Sequence, residues 1–381
     1  MIQYGKQSLG PEERQAILEV LNSDFLTTGP KVPIFEASLK DYVGANYCTV
    51  VSSATAALHI AMVALDIKQG DQIWTSPISF VATANAGRYV GADVSFIDID
   101  LDTINISANL LDKKLAQTSV ADLPKAIVFV HMAGNPTSLI EISKICKKYN
   151  IKLIEDASHS LGSLVKYQKT GGCAYSDVTV FSFHPVKMIT SGEGGALLTN
   201  DESIDKKAKL LRNHGITRSH SNPEQLGNSW YYEQIELGYN YRMSDLHASI
   251  GIEQLKKLSN FVRRRNDLAQ RYKDLLIGSS IRIQKVSIDY TSAYHLFIIQ
   301  FHSTKVREAV FQELLNLHIK CNLHYIPIYK FPYYVDLYGR QEDMFPNAEL
   351  YFQTALTLPL FVDLEPEIVN QICSVVLKHA R

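Results

Sequence analysis

The sequence predicts an α/β fold organised on a mostly parallel sheet, followed by a smaller α+β unit. Three observations carry this expectation. Between about Ser52 and Ala196, short and mostly apolar runs alternate with helical stretches. Such runs are what strands covered on both faces look like, because neither side of the pleat meets water. After Asp245 the texture changes to one long helical pattern and then a mixed segment. Finally, 381 residues with 46% hydrophobic and 20% charged content can bury a large core, and at about 150 residues per domain they divide into two or three units. The expected division is a large unit over residues 1–250, including an N-terminal segment, and a small C-terminal unit over 251–381.

Taken in order, Ser53 to Met62 reads as a helix with Ser53 as its cap. The strand candidates are Gln72–Trp74, Val94–Ile97, Ile127–Val130, Ile151–Ile154, Val178–Phe183 and Ala196–Leu198. A helical pattern runs from about Leu246 to Leu276, and Tyr294–Ile299 reads as a strand. Thr304–Leu317 and Glu365–His379 read as helices, the second with Pro366 near its start, where a missing N–H costs nothing.

Composition also excludes function classes. A net charge of −1 gives no pull toward nucleic acid or anionic membranes. The one basic run, Arg263-Arg264-Arg265, falls in the long helical pattern and reads as a solvated helix face. Five scattered cysteines form no C-x-x-C pair, which suggests neither a disulfide framework nor a metal site and fits a reducing cytoplasm. Residues Met1–Lys6 show no apolar run of a signal peptide, and no stretch approaches the length of a membrane span.

Four features could carry chemistry. Lys187 follows the aromatic strand end Ser182-Phe183 and precedes the glycine-rich turn Gly192-Glu193-Gly194-Gly195. An ordinary lysine is neutral about once in 2,500 molecules at pH 7, and desolvation is how a Schiff-base lysine becomes nucleophilic. The plainer reading is a lysine snorkelling at a turn. Asp156 ends the Ile151–Ile154 run, the edge where a ligand sits in such sheets. There it is either a cap or a carboxylate holding the ring nitrogen of a pyridine cofactor protonated. Ser53, Ala54 and Thr55 open a helix, so their N–H groups serve either an ordinary cap or a phosphate, with the Thr55 and Ser182 hydroxyls as further donors. Phe80 is either a core aromatic or a ring that stacks on a cofactor, and His159 either a cofactor contact or a satisfied interior histidine.

In sequence order, the segments Leu26–Pro30, Ser53–Leu58, His131–Pro136, Glu155–Ala157, Ser182 to Lys187 with Gly192–Gly195, Arg212–Gly215 and Gly238–Met243 resemble the DegT/DnrJ/EryC1/StrS sugar-nucleotide aminotransferases. These are pyridoxal 5'-phosphate (PLP) enzymes of fold type I, and the resemblance spans nearly the whole chain. It implies Lys187 as the Schiff-base lysine, Asp156 as partner of the ring nitrogen, and His159 as a contact to the phenolic oxygen. It further implies Ala54, Thr55 and Ser182 as phosphate ligands and Phe80 as the stacking ring. Asn240 matches an asparagine that reaches the neighbouring subunit's cofactor phosphate, which implies a homodimer with shared active sites.

A finer resemblance, through Thr75–Asn85, Ser158-His159, Trp230–Gln234 and His324–Tyr329, is to the branch serving pseudaminic acid biosynthesis. That branch aminates C4 of a UDP-linked 4-keto-6-deoxy-N-acetyl sugar with L-glutamate. By this likeness Tyr4, Leu26, Thr27, Thr28 and Gly29, together with His324, Tyr325, Ile326 and Pro327, line the sugar-nucleotide site. Two positions depart from the branch: Met188 stands where proline is frequent, and Met132 where an aromatic is common. The alternatives are amination of another nucleotide-linked keto sugar, or a non-catalytic regulatory relative. A PLP-dependent sugar dehydratase would carry histidine in place of Lys187, and no G-x-G-x-x-G follows the first strand as a nicotinamide enzyme would require.

Overall fold

The computed structural model describes residues 1–218, 228 and 230–380. Seven strands form the main sheet: Tyr47–Val51 (β1), Gln72–Thr75 (β2), Asp93–Phe96 (β3), Ala126–Val130 (β4), Lys152–Asp156 (β5), Val178–Ser182 (β6) and Gly195–Thr199 (β7). Their order across the sheet is β1-β7-β6-β5-β4-β2-β3. Strands β6, β5, β4, β2 and β3 run parallel, and β7 alone runs against its neighbours β6 and β1. This is the expected mostly parallel α/β sheet, with β1 an additional strand that the apolar runs had not marked.

Adjacent residues on these strands serve different cores, which is why the runs are mostly apolar on both faces. Val128 and Leu197 pack into one hydrophobic cluster, together with the Ala54–Ala64 helix. Their neighbours Ile127 and Leu198 pack into clusters on the other side. Alternating side chains on a pleat reach opposite faces, so a sheet covered by helices on both faces leaves few polar positions.

A second, antiparallel sheet orders Arg282–Ile283 (β8), Phe297–Gln300 (β9) and Ala355–Leu358 (β10) as β8-β9-β10. Phe297, Ile299, Leu356 and Leu358 share a core with the Pro366–His379 helix and with Leu268 and Tyr272 of the long helix. That long helix spans Asp245–Leu276, capped by the Ser244 side chain accepting from His247 N. Strand β9 begins at Phe297 rather than Tyr294, because Tyr294 adopts a left-handed backbone (φ 51°) that breaks the extended run.

The basic run on the long helix does not lie wholly in solvent. Arg265 is fully buried, and its Nη1 donates to the carbonyls of Leu360 (2.7 Å), His295 (3.2 Å) and Tyr294 (3.3 Å). Arg264 donates to the carbonyls of Val362 and Leu364. The reading of a solvated face holds for Arg263, whose Nη2 donates to Asn260 on its own helix in an exposed setting. Arg265 therefore joins three loop carbonyls that no strand would satisfy. Arg265→Leu should lower stability by about 2–4 kcal/mol, the cost of leaving such groups buried without a donor. A fall in the urea midpoint checks this, and an unchanged midpoint would show that the carbonyls find other donors.

Candidate active site

The carboxyl ends of β4, β5 and β6 open into a cavity of about 490 Å³, in the size range of a small-ligand site. Asp156 is the last residue of β5, and Ser182 the last of β6. The turn after β5 brings Ser158 and His159 to the wall, and the loop after β6 brings His184 and Lys187. The first turn of the Ala54–Ala64 helix closes one side with Ala54 and Thr55. Phe80 and Tyr325 face the cavity from loops, their ring centroids 6.1 Å apart.

Two glycines of the motifs are required by close approach. A Cβ on Gly195 would lie 2.5 Å from the Ala54 backbone N, so β7 reaches the helix N-terminus only as glycine. A Cβ on Gly134 would lie 2.7 Å from the His159 carbonyl oxygen, and its φ is 91°. The loop after β4 thus packs directly beneath the turn that carries His159.

Asp156 is buried and held as an acceptor. Its Oδ1 takes the Ser158 hydroxyl at 2.6 Å, and its Oδ2 takes the Thr83 hydroxyl at 2.6 Å. Ser79 in turn meets Thr83 at 2.7 Å. Burial pushes the Lys187 amine down from 10.5 to about 8, a fall that the nearby Asp156 charge opposes. The same burial, together with the Lys187 charge, holds three imidazoles neutral: His159, His295 and His324, the last pushed down to about 3. The rings of His159 and His295 pack with centroids 4.4 Å apart. The Tyr325 hydroxyl, pushed up by burial and by Asp156, lies 3.2 Å from His159 Nε2. His159 Nδ1 is buried without a partner among the described residues.

The predicted residues separate into two groups. Lys187, Asp156, His159, Ala54, Thr55, Phe80 and Ser182 converge on the cavity with Tyr4, His324 and Tyr325. Tyr4 packs its ring 5.0 Å from His324, and His324 Nδ1 meets the Thr357 hydroxyl at 2.9 Å. Leu26, Thr27, Thr28, Gly29, Ile326, Pro327 and Asn240 do not line it. Thr27 pairs with Ser244 in a β-bridge, and Gly29 N donates to Asp245 at the start of the long helix. Thr28 and Gly29 line a second cavity of about 360 Å³ with Lys209, Arg212 and Arg242. Asn240 is exposed and bridges to Asn213. Met132 and Met188, the two departures, are buried away from the cavity wall. Thr83, His131 and His295 were not singled out from sequence. Each sits in an otherwise apolar or small-residue stretch, where a polar side chain stands out but does not tell a packing role from a site role.

The donor set fits PLP. A helix N-terminus with two hydroxyls suits its phosphate, Asp156 its ring nitrogen, Phe80 its ring face, and Lys187 its aldehyde carbon. The unpartnered His159 Nδ1 offers a further polar contact in the cavity wall.

The profile of the DegT/DnrJ/EryC1/StrS aminotransferase family matches residues 7–377. The UDP-4-amino-4,6-dideoxy-N-acetyl-beta-L-altrosamine transaminase of Campylobacter jejuni (serotype O:23/36, strain 81-176) is 40% identical over 364 residues, 94% of this chain and 92% of that one. Among solved structures, Helicobacter pylori PseC, an aminotransferase of pseudaminic acid biosynthesis, superposes with a TM-score of 0.90 at 32% identity, covering 99% of this chain and 98% of that one. The PLP form of the putative sugar aminotransferase Spr1654 from Streptococcus pneumoniae gives 0.89 at 27% identity, over 99% and 97%. With a matched profile over almost its full length and the cofactor's donor set assembled at the carboxyl edge of its sheet, this chain belongs to the PLP-dependent DegT/DnrJ/EryC1/StrS aminotransferase family.

Proposed function

We propose that the chain transfers the amino group of L-glutamate to C4 of a UDP-linked 4-keto-6-deoxy-N-acetylhexosamine in pseudaminic acid biosynthesis. The observation that carries the chemistry is a buried lysine with a lowered pKa sharing one cavity with a buried aspartate whose two carboxylate oxygens both accept hydrogen bonds. The choice of sugar rests on the C. jejuni and H. pylori relatives. The positions of Met132 and Met188 are compatible with it, since neither borders the cavity.

We further propose a homodimer, working in the cytoplasm, in which each copy completes the other's site. Among the described residues, Lys187 is the one lysine or arginine lining the main cavity. Asn240 and the Leu26–Gly29 segment lie outside it, near exposed Trp230, Ile235 and Leu237 in sequence or Arg242 in space. A second copy is the simplest supplier of cations for the substrate's diphosphate.

When bound, PLP supplies an electron sink for a carbanion next to the transferred nitrogen. Lys187 Nζ would hold the cofactor at its aldehyde carbon and, when free, would move a proton from the donor's α-carbon. At a pKa of about 8, roughly one molecule in ten carries this amine neutral at pH 7. Asp156, fixed by the Ser158 and Thr83 hydroxyls, would hold a positive charge at the ring nitrogen. Thr55 and Ser182 anchor the phosphate. 2-Oxoglutarate leaves before the keto sugar enters, so kinetics are ping-pong.

Two outcomes follow. The visible band of PLP-loaded protein should bleach with L-glutamate and return with the UDP-linked 4-keto sugar. A band indifferent to glutamate would remove glutamate as donor, and one that glutamate bleaches but this sugar fails to restore would point to another keto sugar. Lys187→Ala should cut turnover about a thousandfold or more, whereas Thr55→Ala should weaken cofactor affinity about tenfold with kcat preserved at saturating PLP. The second outcome concerns stability. A lysine whose pKa falls from 10.5 to about 8 on folding binds fewer protons folded than unfolded, so it destabilises fully below pH 8 and ceases to do so above 10.5. Lys187→Met apoprotein should therefore exceed the unsubstituted apoprotein in stability by on the order of 2 kcal/mol at pH 7. Denaturation at pH 7 and pH 10 checks that the difference shrinks as pH rises, and a constant difference would contradict it.

A further inference from the structure

His131 lies behind the cavity wall, fully buried, at the end of β4. It makes three contacts with the segment that presents Asp156 and His159. Its backbone N–H donates to the Asp156 carbonyl at 3.1 Å. Its Nδ1 meets the Ser160 hydroxyl at 2.8 Å. Its Nε2 lies 3.1 Å from Glu155 Oε2, close enough to pair though off the line of a hydrogen bond. Glu155 is itself buried, and its Oε1 accepts from Thr179 and Ser176 on the next strand's side. The imidazole thus meets the residue before Asp156 and the residue after His159, while the His131 backbone holds Asp156 itself.

The contacts lie on the far side of the turn from the cavity. Asp156 and Glu155 are consecutive on β5, so their side chains leave the sheet on opposite faces. Asp156 meets Thr83 and the cavity, while Glu155 meets His131. Ser160 is fully buried and does not border the cavity, whereas Ser158 and His159 do. Rotation of the turn would move the Asp156 carboxylate and the His159 ring together, and His131 is the side chain that opposes it from both ends.

We propose that His131 is a positioning residue for the cofactor site, acting through the Asp156–Ser160 turn without touching ligand. This rests on the PLP reading of the cavity. Asp156 holds the ring nitrogen's positive charge, and that charge opposes a proton on the nitrogen that Lys187 contributes. A loosened Asp156 weakens the opposition, so the proton on the Lys187 nitrogen persists to higher pH. The groups facing Lys187 are Asp156 and the imidazoles His159, His184, His295 and His324. None of these four imidazoles is itself substituted in the variants below.

The test is a pH titration of the visible band of PLP-loaded protein without substrates, with folding followed by circular dichroism. His131→Leu should raise the midpoint by about one pH unit. Ser160→Ala, which breaks a single contact and keeps the Glu155 pairing, should raise it by a smaller amount, and it decides the matter if His131→Leu does not fold. His131→Asn, which can still reach Ser160, should recover part of the shift. In an Asp156→Asn background the same changes should have no further effect, because residues acting through one group are not additive. Unmoved midpoints, or equal shifts with and without Asp156, would overturn the proposal. A wild-type protein that forms no band with PLP would instead overturn the reading of the cavity, and this proposal with it.

Discussion

A lysine amine enclosed beside a buried carboxylate is the arrangement around which the rest of this molecule is organised. Removing an ammonium group from water is costly, and the protein meets that cost in two ways. It lowers the pKa of Lys187 to about 8, and it places Asp156 where its charge offsets part of the desolvation. Both residues need rigid supports that converge from different parts of the chain. The parallel sheet supplies them, because β5 and β6 end side by side and each delivers its functional residue within a few positions of its last hydrogen bond.

The surroundings show the same logic at longer range. A positive Lys187 would be met by further charge if the nearby histidines were protonated. Burial and the lysine itself hold His159, His295 and His324 neutral, so they act as shape and as hydrogen-bonding groups. The polar contacts that remain are tied to backbone or hydroxyls: Asp156 to Ser158 and Thr83, His324 to Thr357, His131 to Ser160. Arg265 extends this to the second sheet, holding the carbonyl of His295 and so the loop that packs His295 against His159. Stability and function share these bonds, since the loops that build the cavity are the ones with backbone groups outside any strand.

The fold was legible because its signal is local. Mostly apolar runs mark strands covered on both faces, and all six marked runs that became main-sheet strands lie within one residue of their observed bounds at one end or both. Strand β1 escaped because Tyr47-Cys48-Thr49 mixes polar with apolar residues, its Thr49 being satisfied by Asp205 inside the core. Tyr294 was read as extended because aromatic and aliphatic residues favour strands, whereas a left-handed turn depends on tertiary contacts. At the site, Lys187 and Asp156 were visible as charges at the ends of apolar runs. His131 and His295 were not, since a histidine inside such a run looks the same whether it fills space or holds a catalytic turn. The placement of Leu26–Gly29 and Asn240 outside the cavity also could not be read from one chain's motifs, because spacing carries no information on which surface a segment meets.

The covalent role of Lys187 is the claim on which the chemistry stands. The most direct measurement is borohydride reduction of PLP-loaded protein, followed by proteolysis and mass spectrometry of the fluorescent peptide. The account predicts a single pyridoxyl label, on Lys187, lost when L-glutamate is added before reduction. A label on any other lysine, or none in a protein that binds PLP, would contradict it.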